Sequence, residues 1–361
     1  MKKTRQFIPL ILLALLLTAC TPEKGPQETT QTPTVENVFT QPSTTAPDSP
    51  TETTAPVDLG GGLGFGFETQ ERDDQGSYLT YTGGELVAPL SIDVSGNIGS
   101  RGIGILLFVD GLPQPYKAEG KDYAYMHIFQ FDRPESLMID LTFTPVTGEA
   151  GDELEIYGVS VVAPNYSYTE DGPLSFTYTK ASPVIGCRLK YRETPPAEVF
   201  PKASPRLSQP EIRKEPLSHL EIGTWTEQEL LENLETHLYA NNAPDGGSPR
   251  IYQVREDQPV KLRFELFGTP YVHYGLVFFV DNQPVVSQDG IPIFVDVENG
   301  QKTVVEAQLD MTGFDTESVL YAVLVPQNYF STPIRTFATV TPSSPIFLLE
   351  FAQEAYYNKI H

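Results

Sequence analysis

The residues of this chain with the clearest potential for chemistry are its two thiols, Cys20 and Cys187, and its five histidines. A nucleophilic, nucleotide or metal-dependent site needs such groups at defined spacings, as in G-x-S-x-G, H-E-x-x-H, C-x-x-C or a P-loop. None of these motifs occurs in the 361 residues, and no two histidines stand at a metal-ligand spacing on a recognisable element. The sequence therefore predicts no catalytic centre, no metal site and no cofactor.

Carboxylates are abundant, with 47 Asp and Glu against 24 Lys and Arg and a formal charge of −23. So acidic a chain has no electrostatic footprint for nucleic acid, which excludes a nucleic-acid partner. The two acids of a glycosidase can come from strands far apart in sequence, so a polysaccharide hydrolase stays an alternative. Acidic turns such as residues 71–74 offer oxygen ligands for Ca²⁺, although none has the EF-hand spacing.

Cys20 follows a basic start and an apolar run over residues 7–17. The run is shorter than the roughly 20 residues that span a bilayer, which indicates a signal sequence. Leu-Thr-Ala-Cys at residues 17–20 resembles the lipobox of bacterial lipoproteins. The resemblance implies that residues 1–19 are a signal peptide and that acyl chains on Cys20 hold the protein to the extracytoplasmic face of the bacterial cell membrane. In the alternative, an ordinary secretory signal or a short membrane anchor, Cys20 is incidental.

Cys187 has a different sequence context. In the alignment of the internal repeat given below it matches Leu349, at a strand position that otherwise holds an apolar residue. This match favours a buried small hydrophobe over a reactive thiol. With Cys20 lipidated, no intramolecular disulfide can form.

Two polar-aromatic turns are the remaining candidates for a binding site. Pro-Asn-Tyr and Pro-Gln-Asn-Tyr close matching segments of the two repeats and contribute Asn165, Tyr166, Asn328 and Tyr329. As a ligand lip these four residues would form two equivalent sites. As structural residues, the asparagines would serve turns and the tyrosines would cover the ends of a sandwich.

The elements that must position these residues form an internal repeat. GILLFVDGLP at residues 104–113 matches GLVFFVDNQP at 275–284 with five identities, and two further blocks follow in the same order. The offset of the alignment falls from 171 to 162, so the second copy is about nine residues shorter, as a trimmed loop would make it. Each copy has the length of a domain rather than of a solenoid unit.

The pattern inside each copy is that of β-strands. Residues 90–94 and 137–143 alternate apolar and polar side chains with period two. The pairs at 110–111 and 281–282, Asp-Gly and Asp-Asn, have the chemistry of tight hairpin turns. In size and strand rhythm the copies resemble Ig-like domains, although they lack the Cys, Trp, Cys pattern of antibody domains. We therefore expect an all-β fold of two homologous Ig-like β-sandwich domains with one short connector helix, after a disordered stalk.

One segment departs from the β pattern. Residues 226–229 form a capping box, and Leu230, Leu234 and Leu238 share one face of a helix that is predicted to end near Tyr239. The leucine stripe would pack on an edge of a sandwich or, alternatively, bind a partner.

The segment between the repeats is rich in proline and in cations. Residues 193–216 hold six prolines in 24 positions, which predicts an extended, stiff linker. Residues 180–214 hold eight basic residues against three acidic ones. These cations would dock on the acidic faces of the domains or, alternatively, contact an anionic envelope polymer or lipid head group.

The predicted organisation has six parts. These are a signal peptide (1–19), a disordered Thr/Pro-rich stalk (20–64), a first sandwich (65–193), a Pro-rich basic linker (194–218), a connector helix (219–246) and a second sandwich (247–361). The functional hypothesis is a lipid-anchored, non-enzymatic binding or structural module of the cell envelope that presents two Ig-like domains to a protein or glycan partner. The alternative is a polysaccharide-active hydrolase or an enzyme-accessory, carbohydrate-binding lipoprotein.

Overall fold

The computed structural model describes most of the two repeats. The described residues are 61–96, 102–165, 185–197, 204–208, 210–218, 223, 226–240, 251–254, 258–268, 272–287, 292–313, 317–327, 341–342 and 346–350. Among them, strands account for nearly all regular structure and one short helix interrupts them, so the predicted all-β class is confirmed. The leader with Cys20 and nearly all of the predicted stalk lie outside the described residues.

The first repeat consists of eleven strands in two sheets. They are β1 (Leu63–Phe67), β2 (Arg72–Asp73), β3 (Gly76–Tyr81), β4 (Leu86–Val94), β5 (Ile103–Val109), β6 (Leu112–Pro113), β7 (Lys117–Ala118), β8 (Met126–Phe129), β9 (Glu135–Phe143), β10 (Glu153–Val162) and β11 (Ile185–Tyr191). One sheet has the order β1-β4-β9-β7, and the other has the order β2-β3-β11-β10-β5-β6 with β8 also paired to β5.

This strand order is that of an Ig-like sandwich. The first sheet corresponds to strands A-B-E-D, and β11, β10 and β5 correspond to G, F and C of the second sheet. Along β4 the side chains of Leu90, Ile92 and Val94 point into the core, whereas Ser91 and Asp93 lie between them on the outer side. The same alternation holds along β9, so the period-two prediction for both segments is confirmed.

The second repeat contains the remaining elements. They are β12 (Ser204–Leu207), β13 (Glu211–Pro216), α1 (Glu227–Glu232), β14 (Leu234–Ala240), β15 (Ile251–Val254), β16 (Val260–Gly268), β17 (His273–Val280), β18 (Gln283–Ser287), β19 (Ile293–Asp296), β20 (Gln301–Leu309), β21 (Glu317–Pro326), β22 (Thr341–Pro342) and β23 (Ile346–Glu350).

The strand pairings of the first repeat recur in the second. The order β14-β16-β20 matches β1-β4-β9, and β15-β23-β21-β17-β18 matches β3-β11-β10-β5-β6. In each repeat an early strand pairs in parallel with the last long strand, β3 with β11 and β15 with β23. The register places Cys187, opposite Ile156, at the position of Ile346, opposite Leu320. The alignment with Leu349 was therefore wrong by three positions, because the loops before the last strand differ in length.

The two predicted hairpin turns are confirmed. Asp110 and Gly111 have φ of 49° and 77°, and Asp281 and Asn282 have φ of 49° and 65°. Positive φ at both central residues is the geometry of a type I′ turn, whose twist matches that of the flanking strands.

The predicted connector helix is shorter than its leucine pattern suggested. The capping box is present, because Glu229 N donates to Thr226 Oγ1 and Thr226 N donates to Glu229 Oε2. The helix ends at Glu232, and Leu234 and Leu238 lie on β14, which pairs with β16. A spacing of four residues fits one face of a helix and also one face of a strand, so the prediction of a helix to about Tyr239 was wrong.

The predicted linker contributes two strands to the second repeat. β13 runs along β20, and β12 joins β20 to β18 across the edges of the two sheets. Leu207 of β12 is buried in the core of the second repeat. Proline favours extended backbone, which an edge strand shares with a linker, so composition alone does not separate the two.

The two repeats share a core. β5 and β10 of the first repeat and β17 and β21 of the second are buried on both faces. One face of each strand packs within its own repeat, and the other meets the facing strands of the other repeat. The equivalent residues Phe108 and Phe279 contact each other edge to face, with ring centroids 6.2 Å apart. We call this sheet-on-sheet contact the inter-repeat interface.

Polar contacts cross the inter-repeat interface in a matched pair. Asn282 Nδ2 donates to Pro164 O at 2.9 Å, and Gln327 Nε2 donates to Asp110 O at 3.0 Å. Each bond joins the hairpin turn of one repeat to the segment that follows β10 or β21 of the other. Because equivalent parts contact each other reciprocally, the interface has the isologous form of a two-fold dimer within one chain.

Candidate functional site

The predicted ligand lip is only partly within the described residues. Asn165 is exposed just beyond β10, whereas Tyr166, Asn328 and Tyr329 lie outside the described residues. The preceding residue, Pro164, is buried and accepts the hydrogen bond from the hairpin turn of the second repeat. The segment that carries the first lip therefore starts at the inter-repeat interface, and its role in ligand binding stays a prediction.

The thiol of Cys187 is buried on β11, with 3% of the residue exposed. Burial raises the pKa of this thiol to about 12. Since the thiolate is the reactive form, we expect Cys187 to be unreactive at neutral pH. The prediction that it is a small buried hydrophobe is confirmed.

The described histidines have separate structural partners. A ring nitrogen of His127, Nε2, lies 2.8 Å from Tyr116 O, and burial lowers the pKa of this histidine. His273 pairs with Asp296, and His237 stacks beside Tyr239. Within the described part of the chain, no group of three or more His, Cys, Asp or Glu side chains could hold a metal ion.

In the first repeat, the strongest charge cluster surrounds Arg188. Its guanidinium is buried and contacts the carboxylates of Asp73 and Glu153, and Lys190 Nζ lies 2.5 Å from Asp73. Hydrogen bonds from Arg188 and Lys190 hold the pKa of Asp73 well below its usual range. The cluster fastens the β2–β3 hairpin to β11 and pairs Asp73 of the acidic turn at residues 71–74 with two protein cations.

In the second repeat, six charged residues form a network over the outer side of β13, β16 and β20. Arg213 from the linker lies 2.7 Å from Glu306, and Lys302 lies 3.1 Å from Glu265. We call this set the charge network; its members are Arg213, Glu215, Arg263, Glu265, Lys302 and Glu306. Arg213 therefore docks on Glu306 of the domain, although this face also carries Arg263 and Lys302 and is not acidic as predicted.

Among the described residues, the same side of the first repeat is more exposed and carries mostly small or polar side chains. We call the outer side of β1, β4 and β9 the open face; it comprises Gly64, Gly66, Val87, Pro89, Ser91, Asp93, Ser136, Met138 and Asp140. Met138 is 58% exposed and Val87 is 47% exposed, which are high values for apolar residues. At the position of Met138 the second repeat has Glu306, a member of the charge network.

The edges of the two equivalent strands β9 and β20 also differ. Residues 301–306 of β20 pair with β13, and Ser208 N donates to Gln308 O at 2.9 Å. On β9, β7 pairs with Leu141 and Thr142 only. Among the described residues, no strand pairs with Glu135–Asp140 on the side away from β4. The open face and this edge are therefore less covered than their counterparts in the second repeat.

The described residues contain no helix that is long and apolar enough to cross a membrane. A scan against protein-family models and a search of curated proteins gave no match.

Solved structures similar to the chain include bacterial and animal proteins. One is the Salmonella enterica SafA pilin in complex with the SafB chaperone, 11% identical, covering 80% of this chain and 96% of that chain with a TM-score of 0.23. A second is the C-terminal domain of the Streptococcus agalactiae AgI/II polypeptide BspA, 7% identical, covering 79% and 100% with a TM-score of 0.19. A third is the Ig1-2 module of the Drosophila receptor protein tyrosine phosphatase DLAR, 11% identical, covering 76% and 94% with a TM-score of 0.18. The Ig-like fold follows from the strand order and pairing described above.

The open face could not be found from the sequence. Its residues look like the polar side of any half-buried strand, and only comparison with the covered face of the second repeat distinguishes it. The weak signal available was the exposed Met138, an apolar residue at a polar position of the alternating segment.

Proposed function

We propose that this protein is a non-enzymatic binding module of the cell envelope. In this proposal acyl chains on Cys20 anchor it, the residues between Cys20 and β1 form the tether, and the paired Ig-like domains present the open face to a macromolecular partner. The observation that carries the proposal is the inter-repeat interface, because it buries the equivalent faces of both repeats and leaves the outer faces to the surroundings.

The interface also determines how the two domains would act. Two domains on a flexible connector would bind two ligands independently and gain avidity. Here strands buried on both faces join the repeats, so we expect one body with a fixed orientation of its outer faces. In this proposal, the duplication therefore makes the two repeats one rigid body and sets the spacing of their outer faces.

The lowered pKa values of two carboxylates suit a structural role. Arginines bond to Asp73 and Glu306 and hold their pKa values below the usual range, whereas a general acid at neutral pH needs the opposite shift. Burial raises the pKa of Asp110, but this residue lies in the turn whose carbonyl accepts the inter-repeat hydrogen bond from Gln327.

Site-specific photocrosslinking in living cells tests the proposal. A photoreactive residue replaces Met138 on the open face or, as a control of similar exposure, Phe294 in the second repeat, which is 42% exposed. We expect a light-dependent crosslinked species from position 138 and none from position 294. Equal crosslinking from both positions, or from neither, would contradict the proposal.

Two further measurements test its other parts. Cys20→Ser should release the protein from the membrane fraction, and unchanged retention would refute the lipid anchor. Cell-wall and plant glycans incubated with the protein should release no reducing sugar. Release that disappears when one carboxylate is replaced would establish the hydrolase instead.

A further inference from the structure

The two repeats provide an internal comparison of one strand edge with and without an added strand. The register makes Leu137 equivalent to Val305, because both face equivalent residues of β4 and β16. Glu135–Asp140 of β9 therefore corresponds to residues 303–308 of β20. In the second repeat this stretch is covered by Ser208 and β13, whereas in the first repeat it has no partner strand among the described residues.

We propose that Glu135–Asp140 binds an extended, basic segment of a protein partner as an added antiparallel strand. The added strand would occupy the place beside β9 that β13 occupies beside β20. This inference rests on the proposed function, since it names the partner chemistry of the same surface.

The backbone of β9 fits this mode of recognition. An edge strand presents unpaired N–H and C=O groups, which an extended peptide satisfies along its whole length. Six residues of strand extend about 20 Å, which is long enough for a specific register. The end of the edge is already closed in the same way in both repeats. Ala118 beside Leu141 and Leu207 beside Leu309 are both buried in the core.

The charges around the edge select a basic partner. Glu135 and Asp140 lie at its two ends, and Asp93 lies on the adjacent β4. Arg133 lies 4.0 Å from Glu135 and offsets one of these negative charges. Glu68 also belongs to this group, because Ser91 Oγ donates to its Oε1 at 2.9 Å. A net negative surface attracts cationic segments and raises their association rate.

The same charges disfavour pairing between two copies of this chain. In an antiparallel pairing of β9 with itself, centred on Leu137 and Met138, Glu135 of each copy would face Asp140 of the other. Like charges directly opposite each other destabilise a strand pair, and charged residues at an exposed edge prevent self-association.

The side chains of the edge suggest alternation in the partner. Leu137 is half-buried on the core side, and Met138 is exposed on the open face. Beside β20, the linker places Ile212, which is 47% exposed, opposite Val305, and it places Arg213 opposite Val304, where Arg213 pairs with Glu306. We expect a partner strand to place an apolar residue beside Leu137 and basic residues toward the carboxylates of this edge.

A designed peptide tests the inference on the full chain. The probe is a fluorescein-labelled ten-residue peptide of alternating arginine and valine. One control peptide has the same composition with all arginines in one block, and another replaces arginine by glutamate. We expect saturable binding of the alternating peptide, binding of the block peptide at least about tenfold weaker, and no binding of the acidic peptide.

Hydrogen exchange locates the bound peptide. Amides of residues 135–140 should exchange more slowly when the alternating peptide is added. Residues 303–306 should be slow with or without it, because β13 already covers them. Protection that appears elsewhere and not at 135–140, or equal affinity for the alternating and block peptides, would overturn the inference.

Charge variants test the selection for basic partners. The double change Glu135→Lys and Asp140→Lys should weaken binding of the alternating peptide by about tenfold or more, while Asp74→Lys, in the exposed turn after β2, should change it less than about twofold. Glu135→Gln with Asp140→Asn keeps the shapes and should give an intermediate loss. If position 138 crosslinks a partner but the peptide does not bind, the proposed function stands and this inference is wrong.

Discussion

Replacing Phe279 by alanine should uncouple the two repeats, whereas replacing its neighbour Phe278 should not. Both side chains are fully buried, and a buried Phe→Ala change costs about 3–5 kcal/mol. They differ in direction. Phe278 meets Phe264 inside the second repeat, with centroids 6.2 Å apart, while Phe279 meets Phe108 of the first repeat at the same distance.

A double-mutant cycle with Phe108→Ala measures the difference. An edge-to-face aromatic pair contributes about 0.5–1.5 kcal/mol beyond its buried area, so Phe108 and Phe279 should show coupling of about 1 kcal/mol in the free energy of unfolding. Residues without shared contacts add within about 0.5 kcal/mol, which is the expectation for Phe108 with Phe278. Guanidinium unfolding of the unmodified protein, the three single variants and the two double variants supplies these values.

Hydrogen exchange during the same titrations reports each repeat separately. In the unmodified protein both repeats should lose protection in one transition, because they share a core. Phe279→Ala should separate the two transitions, and Phe278→Ala should lower both together. Two separate transitions in the unmodified protein, or additive effects of Phe108 and Phe279, would refute the shared core.

Three further predictions concern single residues. Arg188→Met should lower the free energy of unfolding by about 2 kcal/mol, since two charge-assisted hydrogen bonds are lost, as urea titration would measure. The difference in unfolding free energy between Arg188→Met and the unmodified protein should shrink as the pH falls below about 4. The lowered pKa of Asp73 contributes its full stability only above the pKa of this carboxyl in the unfolded chain, and the contribution is lost as the pH falls further. Gly111→Ala should destabilise by more than about 1–2 kcal/mol, since φ is 77° and the new Cβ would lie 3.1 Å from Gln327 Cγ, which thermal unfolding would detect. Cys187 should resist iodoacetamide at pH 8 in the folded chain and react after denaturation, as mass spectrometry would show.

Each of these predictions has a control. Arg192→Met changes an exposed arginine of the same segment and should have little effect; an equal effect would contradict the role given to Arg188. Gly84→Ala is the control for Gly111→Ala, because Gly84 has a similar φ of 69° but open space around the new Cβ. An equal loss of stability in both variants would show that the inter-repeat contact is not its cause. For Cys187, labelling of the folded chain at the rate of a free thiol would show that it is accessible.

Local patterns in the sequence were sufficient to predict the fold class. Alternation over residues 90–94 and 137–143 reflects one buried and one exposed face, and the turns at 110–111 and 281–282 need residues that tolerate positive φ. Both signals depend only on a few neighbouring residues. They are therefore readable in the sequence whatever the rest of the chain packs against the sheets.

Features set by distant parts of the chain could not be predicted in the same way. Leu234 and Leu238 fit a helix as well as a strand, and pairing with β16 decided between them. The burial of Phe279 against the first repeat has no local signature, because a strand buried on both faces reads as an apolar run whatever covers it. The linker cation Arg213 bonds to Glu306, which lies on a strand about ninety residues later in the chain.

The shortened loop of the second repeat accounts for the difference between the two edges. Twelve residues separate β6 from β8 and include β7, which closes the end of the β9 edge, whereas five separate β18 from β19. The shorter loop has no room for such a strand, and the linker supplies β12 in that place and then continues along β20 as β13. In the first repeat, β7 closes only the end, and no described strand pairs with the rest of the edge. Within the described part of the chain, the same duplication thus contains one edge that the chain covers itself and one that has no partner strand.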